Sequence, residues 1–225
     1  CVISQTGFSG ESGYEIYLRN ATLYADDMWD AVLEAGKKHN LMVIAPAHHR
    51  RIQAGILSWG QDLDHEHNPF QCNLGYQVSL SGKGEWEKKG DYIGKQALEK
   101  MKADLKDGHK PYKLQLVGFE IGGKPIDEYA PDFWLVSPGD GGDPCGFITS
   151  PWYHPEKGKN IAMGYIPFDG TLNPNGFPKW ELGKKFKVHL PDIYADEPGV
   201  PVDAVTVDVP FTESFNANTR EVVKG

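Results

Sequence analysis

Two segments in the first half of the chain carry apolar residues at helical spacing. In residues 22–38 and 93–105, apolar side chains recur three and four positions apart, which places them on one face of a helix. In the earlier segment, Asp26 and Asp27 stand in the expected first turn and lysines close the segment, an order that suits the helix dipole. We therefore predict a helix over each segment.

A third helix is expected to begin at Pro46, because proline fits the first helical position. The sequence that follows, AHHRRIQAGILSWG, would place Arg50, Arg51 and Trp59 on this helix.

Strand patterns dominate the second half of the chain. Residues 14–18 and GYQVSL at 75–80 are typical of strands in the first half, but beyond residue 111 short β-type runs follow one another, separated by Gly and Pro. This pattern is typical of an antiparallel barrel or sandwich. The runs span residues 113–121, 132–137, 145–150, 161–168, 185–190 and 204–211.

The change in pattern near residues 107–111 predicts a boundary between two parts. The expected class is α+β, with an α+β part at 1–108 followed by an antiparallel β part at 109–225. Glycine-rich segments at 82–85 and 137–144 are predicted to be turns between strands.

Composition narrows the possible partners. The chain has 225 residues and a formal net charge of -8, which argues against nucleic acid as a partner, since phosphate binding relies on clustered Lys and Arg. No window is apolar enough for a membrane span, so no membrane partner is expected. The three cysteines form no CxxC pair, and neither a zinc site nor a disulfide framework is indicated. A reducing cytoplasm is the expected location.

The opening residues CVISQTG are typical of the inside of a strand rather than of a protein's start. We therefore expect this chain to be the C-terminal portion of a longer protein, whose missing N-terminal part would be a partner in function.

The segment TGFSGESGYEIYL, residues 6–18, places three glycines ahead of a strand-like run that contains Glu15. A solvated surface carboxylate is the simpler interpretation. The functional alternative is that Glu15 accepts a fork of two N–H groups from a flat, guanidine-like ring edge, as carboxylates do bidentately.

Two further clusters of polar residues are candidates for binding an anion or a metal ion. One cluster could hold an anion or simply form a polar helix face, and it consists of His48, His49, Arg50 and Arg51. The segment DLDHEHN at 62–68 lacks the spacing of an EF-hand or a zinc-protease helix, so we predict no bound metal.

Several of these segments together resemble one known family. Five segments are similar, in this order, to segments of the glycine-cleavage T-protein (aminomethyltransferase) family. They are TGFSGESGYEIYL, RRIQAGILSWGQDLDHEHNPF, DYIGKQAL, CGFITSPWYHPEKGKNIAMGYI and AVTVDVPF. The resemblance implies a folate-binding α+β domain portion at 1–108 and a C-terminal antiparallel β-barrel domain at 109–225. It also implies an enzyme, a tetrahydrofolate-dependent methyltransferase or aminomethyltransferase.

The resemblance suggests roles for individual residues. It implies that Glu15 binds the pterin ring of tetrahydrofolate and that Arg51 is a second cofactor-binding residue, while Trp59 could stack on folate. No catalytic residue is assigned, because the family's catalytic Asp corresponds to a position upstream of this chain.

Two departures from the family pattern bear on the substrate. Ala47 stands where the family has an Arg, and the family's closing Tyr finds only Phe215 or Asn216. These changes favour the related demethylases, and thus a small carboxylated methyl donor held by Arg50 or a histidine. The glycine-cleavage reaction and a non-catalytic folate-binding role are the alternatives.

Overall fold

The computed structural model describes residues 1–80 and 92–212. Its helices are α1 at Ala21–Gly36, α2 at His48–Gln53 and α3 at Lys95–Lys106. The strands are β1 at Val2–Ser4, β2 at Glu15–Tyr17, β3 at Leu114–Ile121, β4 at Trp134–Pro138, β5 at Gly146–His154, β6 at Lys159–Pro167, β7 at Lys185–Val188 and β8 at Val202–Val207.

The helices predicted over residues 22–38 and 93–105 are confirmed as α1 and α3. Helix α1 begins at Ala21, so Asp26 and Asp27 lie beyond its first turn, contrary to the expectation. The lysines do close the segment, in a 3-10 turn at Lys37–His39 that follows α1 directly.

Helix α2 is shorter than predicted, and the expectation that it carries Trp59 is wrong. It ends at Gln53 because Gly55 adopts a φ of +68°, a conformation that few residues other than glycine tolerate. A Cβ added at Gly55 would also collide with the side chain of Val209. The chain therefore turns out of the helix, and Trp59 lies in the loop beyond it.

The strand predicted at residues 75–80 is also wrong. Gly75–Gln77 form a 3-10 turn instead, and Gly75 is buried against Phe70 and Phe177. The alternation of apolar and polar residues over this short segment was a weaker influence than tertiary packing.

The second half of the described chain forms a closed antiparallel barrel with strand order β3-β6-β5-β4-β7-β8. Each run of β-type residues predicted beyond residue 111 contributes one strand, and the segment at 137–144 forms the turn between β4 and β5 as expected. The segment at 82–85 lies outside the described residues. The barrel prediction is thus confirmed, whereas the division at residue 108 stays a prediction.

Apolar side chains fill the barrel and attach two helices to it. Phe119 of β3 belongs to the cluster inside the barrel. Ile52 of α2 packs with barrel residues in a second cluster. In a third cluster, Leu105 of α3 packs with Phe70 and with Phe168, which directly follows β6. Helices α2 and α3 are therefore both anchored to the outside of the barrel.

No helix among residues 1–80 and 92–212 is long and apolar enough to cross a membrane.

A buried ion pair joins the loop after α2 to the barrel. Arg51 is only 1% exposed, and its Nη1 lies 2.6 Å from Oδ2 of the equally buried Asp62. The second oxygen of Asp62, Oδ1, accepts hydrogen bonds from the hydroxyls of Thr149 and Ser150 on β5, each at 2.5 Å. The backbone carbonyl of Asp62 accepts a further hydrogen bond from the hydroxyl of Tyr165 on β6.

A β-bulge in β5 makes this arrangement possible. Neighbouring side chains of a regular strand point to opposite faces, so Thr149 and Ser150 would normally diverge. The pairing of β5 with β6 shifts register between Ile148 and Ser150. A bulge of this kind redirects side chains, and here both hydroxyls reach the same carboxylate oxygen.

The Asp62→Asn variant should lose about 3 kcal/mol of unfolding free energy, because breaking a buried pair leaves the Arg51 charge uncompensated. Chemical denaturation followed by circular dichroism would measure the loss. Asp64→Asn, which changes an exposed carboxylate two residues later, is the matched control and should change the midpoint little. Equal midpoints for the Asp62 variant and the parent protein would contradict the structural role of the pair.

Candidate ligand site beside the glycine-rich turn

A cavity of about 560 Å³ lies between the glycine-rich turn that follows β1 and the segment that leads into α2. Its apolar wall suits the body of an organic ligand and consists of Phe8, Ile44, Ala45, Pro46 and Ala47. Polar lining comes from Ser9, Glu11, His48, Arg50 and Arg51. The predicted cluster of histidines and arginines thus contributes to a cavity and not only to a polar surface.

Arg50 is the more accessible of the two arginines in this lining. Its Nη1 lies 2.7 Å from Oε1 of Glu11, and both side chains are about half exposed. Exposed pairs of this kind contribute about 0–1 kcal/mol. A ligand carboxylate could therefore replace Glu11 at Arg50 at small cost.

Arg51 has a different role from Arg50, because its donors are all used within the protein. Beyond Asp62, the guanidinium donates to the carbonyl of Ile56, to Oε1 of Gln61, to the hydroxyl of Ser150 and to Nδ1 of His48. Together with the bond to Asp62, these four bonds use all five N–H groups of the guanidinium. The prediction that Arg51 binds folate stays untested, but the structure gives the side chain a positioning role at the cavity wall.

The two histidines of α2 face different neighbours. The ring of His48 lies 4.7 Å from the ring of Tyr129, and the ring of His49 lies 6.0 Å from that of Trp152. Burial lowers the pKa of both histidines, and the nearby positive charges of Arg51 and Arg50, respectively, lower it further. Asp62 opposes this effect at His48.

Glu15 stands on β2 and does not line the cavity. Its Oε2 accepts hydrogen bonds from the hydroxyls of Thr6 and Tyr17, and these bonds lower the pKa of the carboxyl group. The carboxylate is thus ionised at neutral pH, and no described residue donates to its Oε1. An added Cβ at Gly7 or Gly13 would meet nothing within 4 Å, so the turn beside Glu15 is open.

Trp59 is 61% exposed and lies edge-on to the ring of His65, with the ring centroids 4.8 Å apart. It does not line the cavity either. Of the three cofactor-binding residues predicted from the sequence, the structure places only Arg51 in the cavity wall.

Sequence patterns do not reveal Phe8, Glu11 or Asp62 as part of this region. The sequence presents Asp62 only as a candidate metal ligand. Within the described ranges, no group of three or more His, Cys, Asp or Glu side chains could hold a metal ion. The absence of a bound metal stays a prediction.

Comparisons with known proteins agree with the resemblance seen in the sequence. Residues 1–82 match the family described as the GCVT N-terminal domain. The chain is 31% identical over 168 residues to the aminomethyltransferase of Caldanaerobacter subterraneus, covering 74% of this chain and 40% of that protein. It is 33% identical over 170 residues to the aminomethyltransferase of Symbiobacterium thermophilum, with the same coverage of 74% and 40%.

A solved structure shares the fold. The glycine cleavage system aminomethyltransferase T of Bartonella henselae matches with a TM-score of 0.66 and 22% identity, over 94% of this chain and 49% of that one. The chain spans 40% of the length of each of the two aminomethyltransferases named above, which is less than half. These matches show that the chain is similar in sequence to the glycine-cleavage T-protein (aminomethyltransferase) family, whose N-terminal domain model matches residues 1–82.

Proposed function

We propose that the protein transfers a one-carbon unit to tetrahydrofolate and that this chain supplies part of the ligand cavity. The observation that carries the proposal is a mostly apolar cavity beside the glycine-rich turn, with Arg50 paired only to the half-exposed Glu11 among the described residues. Relatives named aminomethyltransferases support transfer of a one-carbon unit as the general reaction.

Glu15 is proposed to recognise the pterin ring of tetrahydrofolate. An ionised carboxylate is an acceptor for the ring's parallel N–H groups. Since Oε2 already accepts from Thr6 and Tyr17, Oε1 would make the first bond to the ring. Those two bonds also hold the carboxylate in a fixed orientation before folate arrives.

The donor is proposed to be a small carboxylated methyl compound. Its carboxylate would replace Glu11 at Arg50, and its remaining atoms would lie against Phe8 and Ala47. Ala47 matters here because a long cationic side chain at that position would occupy the cavity.

The proposed chemistry is a methyl transfer. The bond between the methyl carbon and the donor's sulfur or oxygen breaks, and that heteroatom leaves with the electron pair. A bond from the methyl carbon to a ring nitrogen of tetrahydrofolate would form, and the proton of this nitrogen would pass to solvent. Holding both reactants in line lowers the barrier by making the encounter effectively unimolecular.

Aminomethyl transfer is the second candidate, because the curated relatives carry that name. A non-catalytic folate-binding role is the third, and it shares the Glu15 site with the other two. The first two candidates differ in the donor that supports turnover, and the third supports no turnover.

We also propose that a further part of the same protein, N-terminal to this chain, covers an exposed apolar face. Helix α1 has an apolar face, but none of its residues is buried. Trp29 and Val32 on this face are 54% and 38% exposed. Globular proteins seldom leave such a face uncovered. The curated relatives, of which this chain spans 40%, have enough additional length to cover it.

The Glu15→Gln variant should bind tetrahydrofolate roughly ten- to a hundredfold more weakly, because a neutral amide cannot accept the N–H fork as a charged group does. Isothermal titration of the full-length protein would measure the affinity. Glu34→Gln, on the exposed surface of α1, is the matched control and should bind as the parent does. Unchanged affinity in a folded Glu15 variant would remove the pterin assignment.

The donor is identified by offering tetrahydrofolate together with dimethylsulfoniopropionate, a methoxylated benzoate or an aminomethylated lipoyl protein. We expect turnover with one of the first two, and about a tenfold higher KM in Arg50→Gln, because a charge-assisted bond to the carboxylate is lost. Glu11→Gln should lower KM, since it removes the competing carboxylate. Turnover with the lipoyl protein alone would instead establish aminomethyl transfer, and folate binding without any turnover would indicate the non-catalytic role.

Replacing Val32 with Lys should destabilise the full-length protein, because a charge would enter a covered apolar interface. In residues 1–225 alone, the same change should alter stability little. Leu23→Lys is the matched control, since Leu23 is 73% exposed on the opposite side of α1. Thermal melts of both proteins would test this, and equal effects of the two substitutions on the full-length protein would refute the proposed cover.

A further inference from the structure

The imidazole of His48 is held by its neighbours in one tautomer. Its Nδ1 lies 3.1 Å from Nε of Arg51, which donates the hydrogen bond. Because a guanidinium is always protonated in proteins, Nδ1 has to carry a lone pair. Protonating His48 at Nδ1 would bring two N–H groups face to face.

Arg51 cannot easily turn away from His48. Its other four N–H groups donate to Ile56, Gln61, Asp62 and Ser150, and the side chain is 1% exposed. The buried ion pair with Asp62 thus fixes the direction of the Nε–H bond. The tautomer of His48 follows from that direction.

The other ring nitrogen of His48, Nε2, carries the proton in this tautomer. No described residue accepts a hydrogen bond from Nε2, and His48 belongs to the cavity lining. The charged groups that act on the ring are Arg51 and Asp62, whereas Arg50 and Glu11 belong to the same cavity lining. Tyr129 packs on the ring from the segment before β4. Burial and the Arg51 charge both lower the pKa of His48.

We propose that His48 is a specificity-determining residue that stays neutral and donates its Nε2–H to an oxygen of the ligand. This inference rests on the proposed function in one respect, since it takes the cavity to be the ligand site. The ligand class is a compound with a carboxylate or carbonyl oxygen near Arg50. A ligand that presents an N–H group or a cation at this point would be rejected, because Nε2 has no lone pair to offer.

Two substitutions separate the functions of the two ring nitrogens. In His48→Asn, the amide oxygen can replace Nδ1 as acceptor for Arg51, but the donor at Nε2 is lost. In His48→Gln, the longer amide can place an N–H group near the Nε2 position. His49→Asn is the control, because the ring of His49 contacts Trp152 and does not line the cavity.

Binding of 4-methoxybenzoate to the full-length protein, measured by isothermal titration, is the first readout. We expect affinity to fall about tenfold in His48→Asn and to be largely retained in His48→Gln and His49→Asn. Equal affinities in all four proteins would overturn the proposal.

Nitrogen-15 NMR of the histidine rings is the second readout and does not depend on turnover. We expect His48 to show the neutral Nε2–H form at pH 7, and an imidazolium or an Nδ1–H form at that pH would overturn the proposal. Benzoate binding that depends on His48 without methyl transfer would refute the proposed reaction and leave this inference standing.

Discussion

The buried ion pair between Arg51 and Asp62 is the interaction on which the rest of the site depends. Two charges away from water are stable only when every donor and acceptor is satisfied. Here the hydroxyls of Thr149 and Ser150 donate hydrogen bonds to the Asp62 carboxylate, and the Arg51 guanidinium uses all its N–H groups. The pair therefore fixes the loop after α2 against the barrel.

The barrel acts as a rigid support for this pair. Its bulged strand β5 supplies two hydroxyls, and β6 supplies Tyr165, which donates to the backbone of Asp62. Through Arg51, these strands also hold His48 in the cavity wall. The opposite wall belongs to the glycine-rich turn, whose described contacts with the first wall include the exposed pair of Glu11 with Arg50 and the Phe8 ring, 6.0 Å from the guanidinium carbon of Arg51.

This difference between the walls suits a site that must admit ligands. A fixed wall orients a donor group, whereas a weakly held turn can move when a ligand exchanges with Glu11. Gly10 in that turn adopts a φ of +78°, which few other residues would tolerate.

The sequence by itself determined the helices α1 and α3 and all six barrel strands, because their apolar periodicity is local. It also revealed the resemblance to the glycine-cleavage T-protein family and drew attention to the segment that contains Arg50 and Arg51. Only the tertiary structure decided that Arg51 is buried while Arg50 faces the cavity, since that depends on Asp62 and on Ser150, which is 99 residues away. The end of α2 at Gln53 was likewise decided by packing, because Val209 fills the space that a side chain at Gly55 would need.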